Sequence, residues 1–304
     1  MKRIEKAALI GAGAIGGFFV EGIEESDEKL TLIAEGERAE RLRRSGVKVN
    51  GKVYYPTVMS AEEAGEQDLI IIATKYLALG EAIEYTKKML GKDTLILSTL
   101  NGVDSEEKVA AAVGKEHVLH SVMRIASRRI GNTIDIQQAD NKGVLFGSVW
   151  AGEEAVAAVA EFFDRTKVVY NLPEDILYTQ WQKFASNIAY NLPMAMVGCG
   201  NGIYEDSEHG HFLSQALWKE AAALAKTYGV ELPESVKPWK VAKSSRFSTL
   251  QDLDAKRPTE IEMFAGVLAK KSAEAGLRAP FAECVYHTIR LLEEKNAGKF
   301  DYQD

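Results

Sequence analysis

The stretch Ala7-Ala8-Leu9-Ile10-Gly11-Ala12-Gly13-Ala14-Ile15-Gly16-Gly17-Phe18-Phe19-Val20 decides the fold. Its first four residues form an apolar run of strand character, the glycine cluster supplies a tight turn, and the apolar residues that follow open a helix. Gly11 permits the turn, Gly13 lets the backbone approach a pyrophosphate with no Cβ in the way, and Gly16 allows the helix to pack closely on the sheet. The helix N-terminus then offers free amides to the phosphates. Isolated glycine triplets occur by chance, but this one has a strand before it and a helix after it, within the first seventeen residues. Gly11, Ala12, Gly13, Ala14, Ile15 and Gly16 are therefore expected to bind a dinucleotide, with a purely structural glycine turn as the alternative.

Working outward, apolar strand candidates recur at Leu30 to Ala34, Leu69 to Ala73, Thr94 to Ser98 and His117 to Met123, with helical patterns between several of them. Alternation of this kind argues for a mainly parallel sheet covered by helices. Asn132 to Gln138, Val144 to Val149 and Val168 to Tyr170 read as further strands that extend the sheet at one edge. After about residue 172 strand-like runs nearly vanish, and helical periodicity appears around 176–192, 211–228, 258–275 and 280–295. The expected organisation is an α/β cofactor domain over residues 1–171 and a helical domain over 172–304, with the cleft between them as the default active site.

Composition narrows the function. A chain of 304 residues with 46% hydrophobic content can support two cores. No apolar stretch approaches the roughly 20 residues needed to span a bilayer, and the N-terminus opens a strand rather than a secretory leader. A soluble, cytoplasmic protein is expected. Cys199 and Cys284 have neither a metal-ligand spacing nor a disulfide framework, which fits a reducing compartment. His117, His120, His209, His211 and His287 show no compact ligand arrangement, so no metal is expected. A formal charge of -7 disfavours the nucleic-acid backbone as a partner and leaves a small molecule.

Lys183, Asn187 and Asn191 follow one another at four-residue steps, so on a helix three polar groups rise on one face among apolar and aromatic neighbours. Such a ladder is expensive to bury for packing alone. A lysine facing a bound redox cofactor is chemically suited to protonate a carbonyl as hydride arrives. Pro193 is expected to end or kink the helix just after Asn191.

Together these features resemble the ketopantoate reductase family, the NADPH-dependent 2-dehydropantoate 2-reductases, over nearly the whole chain. Beyond the glycine turn, the likeness rests on Thr74-Lys75, Leu100-Asn101-Gly102-Val103, Trp181-Gln182-Lys183 with Asn187 and Asn191, Ser248-Thr249-Leu250-Gln251-Asp252, Thr259-Glu260-Ile261-Glu262 and Gly266. The resemblance implies a Rossmann-type N-terminal domain joined to an all-helical C-terminal domain of the 6-phosphogluconate dehydrogenase C-terminal-like kind. It implies reduction of ketopantoate to pantoate, a step of pantothenate and coenzyme A synthesis. It places the general acid at Lys183 and an acidic partner at Glu260, which binds the substrate hydroxyls or orients the lysine. Glu260 and Glu262 are two apart, so one of them at most is expected to face the site. The family positions also assign Asn187, Asn191, Asn201 and Ser248 to the substrate, and Lys75 and Asn101 to the nicotinamide ribose and phosphates.

Three positions depart from the family pattern. Glu35 stands where the family places a basic residue for the adenosine 2'-phosphate; a carboxylate 22 residues beyond Gly13 is what an NAD site uses to accept both ribose hydroxyls. Arg38 and Arg41 lie nearby, so NADPH and NADH both stay open. Ser245 and Ala265 replace asparagines, thinning the polar contacts to the substrate and keeping other 2-keto or 3-hydroxy acids in play. A non-catalytic NAD(P)-binding sensor is a further alternative. The resemblance also implies a homodimer through the helical domain, where apolar residues of 211–228 and 280–295 either finish the core or cover a partner.

Overall fold

The computed structural model of the chain describes residues 3–137 and 141–302. Gln138, the expected end of one strand, and the first two and last two residues of the expected domains lie outside the described residues. The first unit contains β1 (Ala7–Ile10), α1 (Ala14–Glu24), β2 (Leu30–Ile33), α2 (Gly36–Ser45), β3 (Val47–Val49), β4 (Lys52–Tyr54), β5 (Thr57–Met59), α3 (Ala61–Ala64), β6 (Gln67–Ile72), α4 (Leu79–Lys88), β7 (Leu90–Ser98) and α5 (Ser105–Val113). It continues with β8 (Val118–Arg124), β9 (Ala126–Ile130), β10 (Thr133–Gln137), β11 (Gly143–Gly147), α6 (Glu153–Asp164) and β12 (Tyr170–Asn171).

Six strands run parallel in the order β5-β2-β1-β6-β7-β8, the Rossmann order with its reversal between β1 and β6. The central strands are buried on both faces, which explains their unbroken apolar runs: Ala8 and Leu9 of β1 and Leu69 to Ile72 of β6 have no exposed surface. At the far edge β11 pairs antiparallel with β8, and β12 pairs parallel with β11, extending the sheet.

The expected strand beginning at Asn132 does not join that edge. As β10 it belongs to a second, four-stranded sheet of order β4-β3-β10-β9. Its ladders with β9 and β3 place it there, and two further contacts support it. Asn50, in the turn between β3 and β4, donates its N–H to the Ile134 carbonyl at 2.9 Å, and its Oδ1 accepts the Ile136 N–H at 2.8 Å. Ile134 packs down on α1, where a Cβ at Gly17 would come within 2.6 Å of its Cδ1.

The second unit contains α7 (Ile176–Val197), whose first turn belongs to the first unit, then α8 (Ile203–Asp206), α9 (Glu208–Thr227) and α10 (Ser248–Asp254). A π turn, Glu262–Gly266, runs directly into α11 (Val267–Glu274), and α12 (Pro280–Asn296) follows. No strand occurs among the described residues after Gln180. The core is aromatic, with Trp181, Phe184, Tyr190, Trp218 and Phe264 fully buried. Glu220 of α9 accepts the N–H groups of Phe281 and Ala282, both at 2.9 Å, and so caps α12. The units divide between Thr179 and Gln180, beyond the expected boundary at 171. Ile176 is the reason, because it forms a small core with Val122 and Leu145 of the sheet. No helix among the described residues is long and apolar enough to cross a membrane.

Candidate active site

In the first unit, strand register brings four loops to one edge. Ile10 lies opposite Ile33 and Ile72, and Ile72 opposite Ser98. The chain therefore leaves β1, β2, β6 and β7 at the same carboxyl edge, beside the reversal in strand order where doubly wound sheets bind ligands. Gly11 to Gly16, Glu35, Lys75 and Asn101 all lie on these four exits.

The glycine turn has the shape of a phosphate cradle. Gly11 has φ 108°, and a Cβ there would come within 2.5 Å of the Ala73 carbonyl oxygen. Gly13 is different: apart from the adjoining backbone, no protein atom lies within 4 Å of where its Cβ would be. Packing therefore gives no reason for glycine at this position, whereas a ligand approaching the backbone does. At the start of α1 no side chain caps the helix and the first turn holds no acid, so its amides suit an anion. Gly16 differs from the sequence expectation, since a Cβ there would strike the Gly11 carbonyl at 2.0 Å rather than the sheet. These residues fit the pyrophosphate of a dinucleotide.

Glu35 is the N-cap residue of α2 and is exposed, as are Arg38 and Arg41. Arg38 stands one turn along the helix and Arg41 farther off, so Arg38 is the nearer cation. Arg43 is engaged with Glu40 at 2.7 Å and the Val58 carbonyl at 3.1 Å. Lys75 is exposed where β6 gives way to a short 3-10 turn, and Asn101 is half-buried after β7. Sequence reasoning missed the anchor behind the Asn101 loop. Asp104 is buried, accepts the Tyr76 hydroxyl at 2.6 Å and pairs with Lys108 at 2.7 Å. An Asp two residues past an Asn-Gly pair was its one sequence signal.

In the second unit, α7 carries the polar ladder as expected. Lys183 is half-buried, and Asn187 and Asn191 are 6% and 4% exposed. Asn191 donates to the Asn187 Oδ1 at 3.4 Å, and its own Oδ1 is buried with no partner. Asn201, 1% exposed, repeats the pattern: its amide donates to the Trp239 carbonyl at 3.4 Å and its Oδ1 is partnerless. A buried acceptor left in this state is costly and is open to a donor. Ser248 is exposed at the start of α10, and the Oγ1 of its buried neighbour Thr249 is likewise without a partner. Glu260 is half-buried just before the π turn, a helix irregularity frequent at functional sites. Glu262 is exposed, and its carboxylate accepts the Tyr286 hydroxyl at 2.8 Å.

Pro193 does not end the helix; α7 runs four residues past it to Val197. A proline removes one N–H of the ladder and crowds the carbonyl four residues back. Here the Tyr204 hydroxyl enters the next rung, accepting the Met194 N–H at 3.2 Å and donating to the Tyr190 carbonyl at 2.5 Å. Asn191 is consequently buried within a helix rather than placed at its end.

The family described as Ketopantoate reductase PanE/ApbA matches residues 7–150, and its C-terminal part matches residues 175–293. The chain belongs to this ketopantoate reductase family. It is 27% identical to "Uncharacterized oxidoreductase YkpB" of Bacillus subtilis (strain 168), over 95% of this chain and 99% of that one. It is 25% identical to "2-dehydropantoate 2-reductase" of Pyrococcus horikoshii, over 96% and 99%. Among solved structures, "The complex structure of D-mandelate dehydrogenase with NADH" shares the fold with a TM-score of 0.84, at 21% identity over 95% of this chain and 99% of that one. Within the ketopantoate reductase family's fold, this chain's Ala265 is fully buried and Ser245 half-buried, the latter's carbonyl accepting the Asn201 N–H at 2.9 Å.

Proposed function

We propose that this chain is an NAD(P)H-dependent reductase of 2-keto acids, with ketopantoate as its leading substrate. The observation that carries this reading is the partnerless, buried Asn191 Oδ1 on the helix that also presents Lys183. When bound, a reduced nicotinamide would supply hydride to the substrate's carbonyl carbon. The glycine turn and the α1 amides would hold its pyrophosphate, and Lys75 and Asn101 would serve the nicotinamide ribose. Lys183 gives its proton to the carbonyl oxygen and stabilises the charge that develops there. Asn187 holds Asn191 in register. The Oδ1 atoms of Asn191 and Asn201 can only accept, so they suit hydroxyl hydrogens and would repel a carboxylate; ketopantoate carries such a hydroxyl. Glu260 accepts a substrate hydroxyl or orients Lys183, and Ser248 contributes a further hydroxyl.

A second reading, reduction of a different 2-keto or 3-hydroxy acid, is favoured by Ala265, which offers the site no polar group. Cofactor choice is similarly divided: the family resemblance favours NADPH, and the exposed Glu35 carboxylate favours NADH. The test is a panel of ketopantoate, pyruvate and the phenyl-substituted 2-keto acid corresponding to mandelate, each assayed with NADH and with NADPH. Ketopantoate is expected to give the highest kcat/KM, which would place the enzyme in pantothenate synthesis. A higher value for the phenyl acid selects the second reading, and no turnover with any acid makes the chain a nicotinamide-binding protein.

A further inference from the structure

Tyr204 is 3% exposed, with its ring edge-on to Tyr190 at a centroid distance of 4.9 Å. Its hydroxyl joins two backbone groups four residues apart, the Tyr190 carbonyl and the Met194 N–H. They are the partners of the helical rung that follows the one Pro193 lacks, and inserted side chains bridge helices at such points. Tyr204 also reaches the other way along the chain. Its N–H donates to the Asn201 carbonyl at 3.3 Å, and the Asn201 N–H donates to Ser245. One residue thus links the Tyr190–Asn191 peptide to the loop that carries Asn201, and each of these two asparagines holds a buried partnerless Oδ1 atom.

We propose that Tyr204 is a positioning residue for the keto-acid site: its phenol bridges the rung beside Pro193 and holds the acceptors of Asn191 and Asn201 at a fixed separation. This rests on the reading of those asparagines as substrate contacts. Burial pushes the phenol far above its ordinary titration range, so it stays protonated and can donate at any working pH.

Tyr204→Phe keeps the ring and deletes the bridge. Amide exchange at Met194 is expected to accelerate at least about tenfold, and the KM for the keto acid to rise at least about tenfold, with kcat within about threefold and nicotinamide Kd unchanged. Adding Pro193→Ala restores the missing rung to the Ala189 carbonyl and removes the ring that crowds the bridged rung beside it, so P193A/Y204F is expected to return KM to within about threefold of the parent. The double variant also decides the matter should Tyr204→Phe alone fail to fold. Unchanged exchange at Met194 overturns the bridge. Faster exchange with unchanged KM, or no rescue by Pro193→Ala, makes Tyr204 structural only and overturns the positioning role. A parent chain that reduces no keto acid sinks the reductase reading and this role with it, while exchange at Met194 still reports on the bridge itself.

Discussion

Asn191 donates its amide to Asn187 at 3.4 Å across one turn of α7 and keeps its own Oδ1 buried without a partner. An unsatisfied buried acceptor costs about 1–3 kcal/mol, a cost that a donor from a bound ligand would offset. Asn191→Ala removes that cost and opens a small cavity, two effects that oppose each other. The unfolding midpoint is expected to stay within about 4 °C while KM for the keto acid rises at least about tenfold. A large loss of stability with unchanged KM would make Asn191 a packing residue.

Lys183→Ala should preserve folding and nicotinamide affinity and lower turnover at least about 100-fold, the loss expected from removing a positioned proton donor. Stopped-flow measurement of nicotinamide oxidation isolates that step. Near-normal turnover would rule out Lys183 as the acid.

Glu35 stands exposed at the start of α2 with Arg38 one turn away. Its carboxylate should repel a 2'-phosphate, and Glu35→Arg should shift preference toward NADPH at least about tenfold by supplying a charge-assisted contact. Direct titration with NADH and NADPH measures this. An unchanged ratio of dissociation constants would mean that residue 35 does not lie beside the adenosine ribose.

His120 of β8 lies edge-on to Trp150 at 4.5 Å, and burial pushes its imidazole down to about 4 from an ordinary 6.5. Between those values the unfolded chain binds a proton that the fold refuses. Stability is therefore complete above pH 7 and falls as pH drops through the window, by up to roughly 3 kcal/mol. Urea midpoints measured from pH 7.5 down to 4.5 should show this slope, and His120→Phe should flatten it. An equal slope in the variant would assign the acid sensitivity to other groups.

The legible parts of this protein were those written in short stretches of chain. The glycine turn announced itself because strand, turn and helix start occupy consecutive residues, and each glycine answers a local steric demand. The Lys183-Asn187-Asn191 ladder was readable because helical period alone places those side chains on one face. The strands β3, β4 and β5 were not, since three residues apiece carry too little periodicity to register. Nor was α10, whose seven residues were visible only as a family motif.

Sequence by itself determined the fold class, the order of the two units and the residue types available for binding and proton transfer, because these follow from local period and local sterics. Tertiary structure decided which groups meet. Whether β10 joins the main sheet depended on its pairing with β9 and with β3, the latter and its neighbour Asn50 lying more than eighty residues away in the chain. Pro193 sits inside its helix, and the hydroxyl bonded to the rung beside it comes from eleven residues further on, at Tyr204. Which asparagine oxygens stay without partners depended on how every neighbouring donor was already used. Hydrogen bonds between distant residues are settled by competition among all donors and acceptors brought close by folding, and no window of sequence contains that competition.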